Sequence, residues 1–303
     1  MIPRTAQLLQ LSIMPIMTHK YLKLAGSIVR ISGKADEMPE RYGNLTPFLT
    51  EPQPFDWDIS VQIIENLDLP CGDCIFTDGG KRVYQIEDTY ISYIGSVGIT
   101  LDGAYLRLER NRCSSKVQVK RSALLGRLTA NVLISALEAE HLIVLNNGFL
   151  LHSSYISYQG GAILFTAPSG TGKSTQAALW NQYREAEIIN GDRSVVRIGA
   201  KNIEACGIPF SGSSGICKDR TLPLKAIVCL SQAPSTSIRQ LSPLQAFRLI
   251  WEGCTFYTWS REDTDRCSQT LLTVISQVPV YHLACTPDES AVIALEQALE
   301  SRN

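Results

Sequence analysis

AILFTAPSGTGKSTQAALWNQY, residues 162–183, is the stretch on which the reading of the fold turns. It opens on a predicted strand, AILFTA (162–167). Small and turn-forming residues follow, and a helix is predicted over 174–183. Between them, Ala167-Pro168-Ser169-Gly170-Thr171-Gly172-Lys173-Ser174 fits a phosphate-binding loop with Ala in place of the first Gly. Backbone N–H groups can wrap around phosphates only where side chains are small, a lysine offsets the phosphate charge, and a hydroxyl can ligate Mg²⁺. The helix that follows points its positive end at the same place. Ser169, Gly170, Thr171, Gly172, Lys173, Ser174 and Thr175 are therefore the candidate nucleotide-binding residues. As an exposed loop residue, Lys173 is expected to add under ~0.5 kcal/mol to stability.

Working outward, strand AEIIN (186–190) ends in Gly191-Asp192-Arg193, and Asp192 lies 19 residues beyond Lys173. A carboxylate there can approach Mg²⁺ held by Ser174, which makes Ser174 and Asp192 the candidate metal ligands. Arg193 reads either as a surface ion-pair partner or as a phosphate contact. SVVRI and NIEAC flank a Gly199-Ala200 turn, LKAIVCL (224–230) suits a central strand, and Ser242-Pro243 opens a helix. PVYHLAC (279–285) is a further strand, and Thr286-Pro287-Asp288-Glu289 supplies a cap and capping box for a last helix. Alternating strands and helices indicate an α/β architecture. The stretch Ser211-Gly212-Ser213-Ser214-Gly215 reads either as a mobile loop over the phosphates, with Lys218 or Arg220 supplying charge, or as a plain surface loop.

Upstream the period changes. SIVRIS (27–32), WDISVQII (57–64), RVYQI (82–86), TYISYIG (89–95) and AYLRLER (104–110) alternate apolar and polar residues between turn signals such as Asp78-Gly79-Gly80 and Asp102-Gly103. That period predicts a small antiparallel β-rich domain over 18–121, with 35–56 as a long loop, and leaves it as a candidate for recruiting a substrate. Ser122 is placed as the cap of a helix running to about Glu140, with Leu124, Leu125, Leu128, Val132 and Ala136 on one face. Residues 122–303 form the second predicted domain. Residues 1–17 are interrupted by Pro3 and Pro15, lack a small-residue cleavage site and read as an extension without regular structure.

LLHSSYISYQGGAILFTAPSGTGKSTQAAL followed by IINGDRSVVRI resembles the catalytic domain of HPr kinase/phosphorylase, which is related to the ATP-dependent phosphoenolpyruvate carboxykinases. It also resembles the stand-alone kinases of that type, some of which sit in peptide-modification gene cassettes. The resemblance spans roughly 145–300. It implies a P-loop kinase domain of the HPr-kinase/carboxykinase type, here preceded by a smaller β-rich domain. It further implies ATP and Mg²⁺ as cofactors and transfer to a hydroxyl, the Ser or Thr of a peptide or small protein. Lys173 and Ser174 would match the loop lysine and the Mg²⁺-side hydroxyl, and His152 would match an upstream histidine. Asp192 would match the second of two adjacent aspartates, the first being Gly191 here. His152 reads as the missing base, because an imidazole titrates near neutrality, or as a packed histidine. Catalysis is thus assigned to Asp192, His152 and Lys173. The other reading is an ATP-binding scaffold or regulator with little activity. A carboxykinase would need a second-metal site and an Arg, Lys and His set that this chain does not match.

Composition narrows the field further. The chain has 303 residues, 28 Lys+Arg against 29 Asp+Glu, 45% apolar and 19% charged residues. A net charge of −1 argues against a nucleic-acid binder. No apolar run is long enough for a transmembrane helix, so no membrane partner is expected. Nine cysteines at irregular spacing do not form a secreted disulfide framework, and a reducing, cytoplasmic setting is the simplest reading. Cys71-Gly72-Asp73-Cys74 lacks a second ligand pair for zinc, His19, His141 and His282 stand alone, and a homo-oligomer stays open.

Overall fold

The computed structural model describes residues 15–95 and 103–301. Two nine-stranded sheets organise them. The first contains β1 (Met17–Leu24), β2 (Ser27–Lys34), β3 (Leu49–Thr50), β4 (Trp57–Ile64), β5 (Asp73–Asp78), β6 (Lys81–Ile86), β7 (Thr89–Ile94), β8 (Leu106–Arg110) and β9 (Ser114–Lys120). Their spatial order is β3-β1-β2-β4-β9-β8-β7-β6-β5. The sheet is mixed, because β2 pairs with β4 and β4 with β9 in parallel. This corrects the antiparallel expectation. Parallel neighbours need crossover connections, and 35–56 is one of them, holding a 3₁₀ turn at Gly43–Phe48. Met17 belongs to β1, so regular structure begins inside the predicted extension; residues 1–14 and Asp102 lie outside the described residues.

The helix placed at 122–140 is two short ones, α1 (Ala130–Ala136) and α2 (Ala139–Leu145). Gly126 takes a left-handed φ of +104°, Leu125 is fully exposed, and Thr129 caps α1 by accepting the Val132 N–H. The break at Glu138, itself left-handed, has a tertiary cause. Its buried carboxylate lies 3.6 Å from Arg110 and accepts a hydrogen bond from Ser115.

The second sheet is built from β10 (Gly148–Tyr158), β11 (Gly161–Thr166), β12 (Glu187–Asn190), β13 (Arg193–Ile198), β14 (Ile203–Cys206), β15 (Thr221–Gln232), β16 (Ser237–Gln240), β17 (Cys254–Thr255) and β18 (Val280–Cys285). The helices between them are α3 (Lys173–Arg184), α4 (Pro243–Trp251), α5 (Arg261–Gln277) and α6 (Glu289–Glu300). Ser242 and Gln245 form a capping box on α4. The cap of α6 is Asp288 rather than Thr286, whose hydroxyl donates to the Asp288 carboxylate instead. Pairing closes on itself, β10 to β13, β14, β15, β11 and back to β10, with β18 continuing in parallel beside β15. The long strand β10 changes partners midway. Up to His152 it pairs with β13, and from Ser153 it pairs with β11.

Apolar side chains of α3 and α6, including Trp180 and Leu295, pack on one face of this sheet. Those of α4 and α5, including Ile250 and Leu271, pack on the other. A third cluster joins the two sheets: Leu22, Ile31, Ile59 and Leu108 of the first pack with Leu133, Leu142, Leu150, Val195 and Ile208. The β-rich part therefore shares its core with the α/β part. No helix among the described residues is long and apolar enough to cross a membrane.

Helix α6 is tied to α3 by Glu296, which accepts hydrogen bonds from Arg184 at 2.7–2.9 Å and one from the Tyr158 hydroxyl at 2.7 Å. Arg184, then Tyr158, hold the Glu296 carboxyl below its ordinary 4.5. A carboxylate depressed in the fold stabilises fully above 4.5 and loses that contribution as pH falls through its lowered value. Glu296→Gln should lower the urea midpoint at pH 7, and the gap to the parent should close below pH 4.5. A gap that persists undiminished in acid would show that the ionised carboxylate does not tie the helices.

Candidate functional site

Strand β11 delivers the chain into the glycine-rich turn, and α3 carries it away. Gly170 and Gly172 adopt φ of +78° and +118°, which residues with a side chain rarely tolerate. Ser169 and Gly170 are exposed, Thr171 donates its N–H to Pro168 O at 3.4 Å, and Ser174 and Thr175 lie exposed on the first turn of α3. Lys173 departs from expectation. It is 8% exposed, and its Nζ donates to Ala167 O at 2.9 Å and Pro168 O at 3.2 Å. Burial lowers its pKa, opposed by Asp192. An ammonium has three donors, so one remains for a phosphate oxygen.

His152 sits where β10 changes partners. Its N–H donates to Gly253 O at 2.9 Å, its carbonyl accepts the Thr166 hydroxyl at 3.0 Å, and Ser153 N–H donates to Asp192 O at 3.0 Å. Strand switching thus brings three segments to one point, and side chains follow. His152 Nε2 lies 3.5 Å from Asp192 Oδ1, and Arg193 Nε lies 3.5 Å from Asp192 Oδ2. Burial and then Lys173 lower the pKa of His152, against the pull of Asp192. Arg193 also lies over the Phe210 ring, 5.6 Å from its centroid.

Asn190, which sequence reasoning passed over, holds this turn. Fully buried, it donates to Ile208 O and Phe210 O at 2.9 and 3.0 Å and accepts the N–H groups of Asp192 and Arg193 at 2.9 and 3.0 Å. The only sequence signal was an Asn closing an apolar strand just before Gly-Asp.

The 211–215 stretch packs directly on Asp192. A Cβ on Gly212 would come 2.7 Å from Asp192 Cγ, and a Cβ on Gly191 would come 2.3 Å from Ser214 Oγ. The space of a side chain at 191 is taken by Ser214. Asn44 of the first sheet's 3₁₀ turn donates to Ser211 Oγ at 2.8 Å, so this loop is fastened from both sides. Lys218 is committed to Glu187 at 2.8 Å, and Arg220 is exposed with no side-chain hydrogen bond among the described residues.

Lys173, His152 and Asp192 therefore converge, while Ser174 makes no hydrogen bond with Asp192. The donors fit the groups expected of them. Positive-φ glycines and a spare lysine donor suit phosphates, and a carboxylate and a hydroxyl are oxygen ligands of the kind Mg²⁺ prefers. Cys71 and Cys74 are exposed thiols, and no cluster of metal-binding side chains occurs among the described residues. His19 pairs with Ser32 and His141 with Asp263, both as structural contacts.

No protein-family model matches the chain, and no curated protein matches it. Among solved structures, the Hpr(Ser) kinase/phosphatase from Coxiella burnetii is similar at 11% identity over 50% of this chain and 89% of that chain, with a TM-score of 0.29. A likeness that loose carries no residue role across, and the site rests on its own geometry.

Lys173→Ala should remove two charge-assisted hydrogen bonds along with the phosphate contact. We expect Mg·ATP affinity to fall at least about tenfold by calorimetry and unfolding stability to drop by about 1–3 kcal/mol. Unchanged stability would return the lysine to solvent, and unchanged affinity would remove the loop from the site.

Proposed function

We propose that the protein is an ATP- and Mg²⁺-dependent phosphotransferase acting on a hydroxyl, the Ser or Thr of a peptide or small protein. One observation carries the reading: a histidine and a carboxylate 3.5 Å apart lie within electrostatic reach of the lysine of the glycine-rich turn. The acceptor class follows the sequence resemblance. Mg²⁺ on Ser174 and Asp192 would neutralise phosphate charge. The residues of this chain supply the rest. Loop N–H groups and Lys173 bind and orient the phosphates, and the fixed dipoles of the α3 N-terminus favour developing negative charge. His152, 3.5 Å from Asp192, accepts the proton of the attacking hydroxyl.

A second reading, a nucleotide-binding scaffold, is favoured by Gly191, where the resemblance calls for a further carboxylate. Ser214 stands in that space, so Gly191→Asp alone would collide with it. The informative variant is Gly191→Asp with Ser214→Gly; if it switches on transfer in an inert parent, the scaffold reading gains.

The test is incubation with γ-labelled ATP, Mg²⁺ and Ser- or Thr-containing peptides encoded beside the gene. Label should pass to a peptide, and Asp192→Asn should cut the rate by about 100-fold or more while the protein still folds. His152→Ala should lower kcat and leave Mg·ATP affinity nearly intact. An Asp192→Asn protein with normal rate and Mg²⁺ dependence would end the reading.

A further inference from the structure

Thr166, at the carboxyl end of β11, lies opposite Cys229 in the second half of β15, and Cys229 lies opposite His282 midway along β18. Here they floor a cavity of about 510 Å³, within the range of ligand pockets. Leu249 gives it an apolar wall, and Cys254 closes one side. His282, isolated in sequence, hydrogen-bonds Ser231 Oγ through Nε2 at 3.1 Å on the same lining. His152, the partner of Asp192, is also part of the wall.

We infer that this cavity receives the phosphate acceptor, as an uncharged, apolar-flanked hydroxyl group inserted beside His152. The assignment rests on the phosphotransferase reading. Charge selects the occupant: no Lys or Arg lines the cavity and Glu252 is its one acidic residue, so neither a triphosphate nor a carboxylate suits it. Position separates an acceptor from a nucleotide base. A reacting hydroxyl must lie at the histidine–carboxylate pair, and this cavity contains that histidine. The acceptor oxygen bonds the terminal phosphorus, the bond to the bridging oxygen breaks to release ADP, and the hydroxyl proton passes to His152. Apolar flanks of the acceptor rest on Leu249, and the Ser231–His282 pair meets a polar group such as a backbone amide.

The walls are held in place before any ligand arrives. Strand β17 pairs with Leu150 and Leu151 of β10, and a Cβ on Gly253 would come 2.9 Å from Thr166 Oγ1. Just beyond, Tyr257 and Trp259 stack on each other and enclose Arg110 of the first sheet, each with its ring centroid 5.3 Å from the guanidinium.

The probe is N-acetyl-seryl-leucinamide, measured by saturation-transfer NMR with and without Mg·ATP. It should bind the parent with Mg·ATP present, and Leu249→Trp, which fills the cavity, should weaken it at least about tenfold while Mg·ATP affinity is unchanged. Ser231→Ala, nearly neutral in volume, should weaken the probe several-fold and guards against a misfolded Leu249 variant. A carboxylate in place of the terminal amide, as in N-acetyl-seryl-leucine, should reduce binding. A probe that does not bind, or binds all variants alike, overturns the assignment. So does a Leu249→Trp protein that loses Mg·ATP instead, which would place the base there. A probe bound as expected with no label ever transferred would sink the phosphotransferase reading and leave the cavity a ligand site.

Discussion

One buried carboxamide sets the geometry on which the site depends. Asn190 spends both donors on Ile208 and Phe210 carbonyls and its oxygen on the N–H groups of Asp192 and Arg193. Buried polar groups are costly unless paired, and this one pairs completely only when the β12–β13 turn and the 207–210 segment lie together. The direction of the Asp192 carboxylate is therefore a by-product of satisfying an amide in the core. The histidine opposite is fixed just as indirectly, by the residue at which β10 exchanges one neighbour for another.

The first sheet reaches this site twice. Asn44 fastens the glycine–serine loop through Ser211, and Arg110 receives Tyr257 and Trp259 from the segment that follows β17. Arg110 is 3% exposed and lies 3.6 Å from the Glu138 carboxyl, so the contact is an enclosed aromatic and ionic clasp rather than a solvated ion pair. Burial pushes the Glu138 carboxyl up while Arg110 pulls it down, as in a pair whose charges depend on each other. Both flanks of the site are thus braced by distant contacts, Asn44–Ser211 spanning 167 positions.

What the sequence made legible was local. The strand, glycine turn and helix of 162–183 lie within one supersecondary unit, and the Ser242-Pro243 opening of α4 is a pair of adjacent residues. What escaped it depends on distant partners. Parallel pairing of β2, β4 and β9 is invisible to a period of two, which reports the faces of a strand and not the direction of its neighbour. The break at Glu138 answers Arg110, and the burial of Lys173 answers the carbonyls of its own loop. Helix α5 was missed because threonines and β-branched residues, Thr264, Thr270, Thr273, Val274 and Ile275, dilute its propensity. Its signal was Ser260, which accepts the Asp263 N–H, followed by the acidic Glu262 and Asp263 of the first turn. His282 escaped for a simpler reason, since its partner Ser231 lies 51 residues away on a parallel strand.

The shared core has a consequence for how the chain is made. Leu150, Val195 and Ile208 complete the apolar cluster under the first sheet, yet that sheet's last strand ends at Lys120. During synthesis the 88 residues from Arg121 to Ile208 must be added before the cluster can close. At ~5–20 residues per second that wait is roughly 4–18 s. Over those seconds the nascent chain carries Ile31, Ile59 and Leu108 without their lasting cover, a surface on which holdase chaperones act. Slow translation within 121–208 would lengthen this exposure.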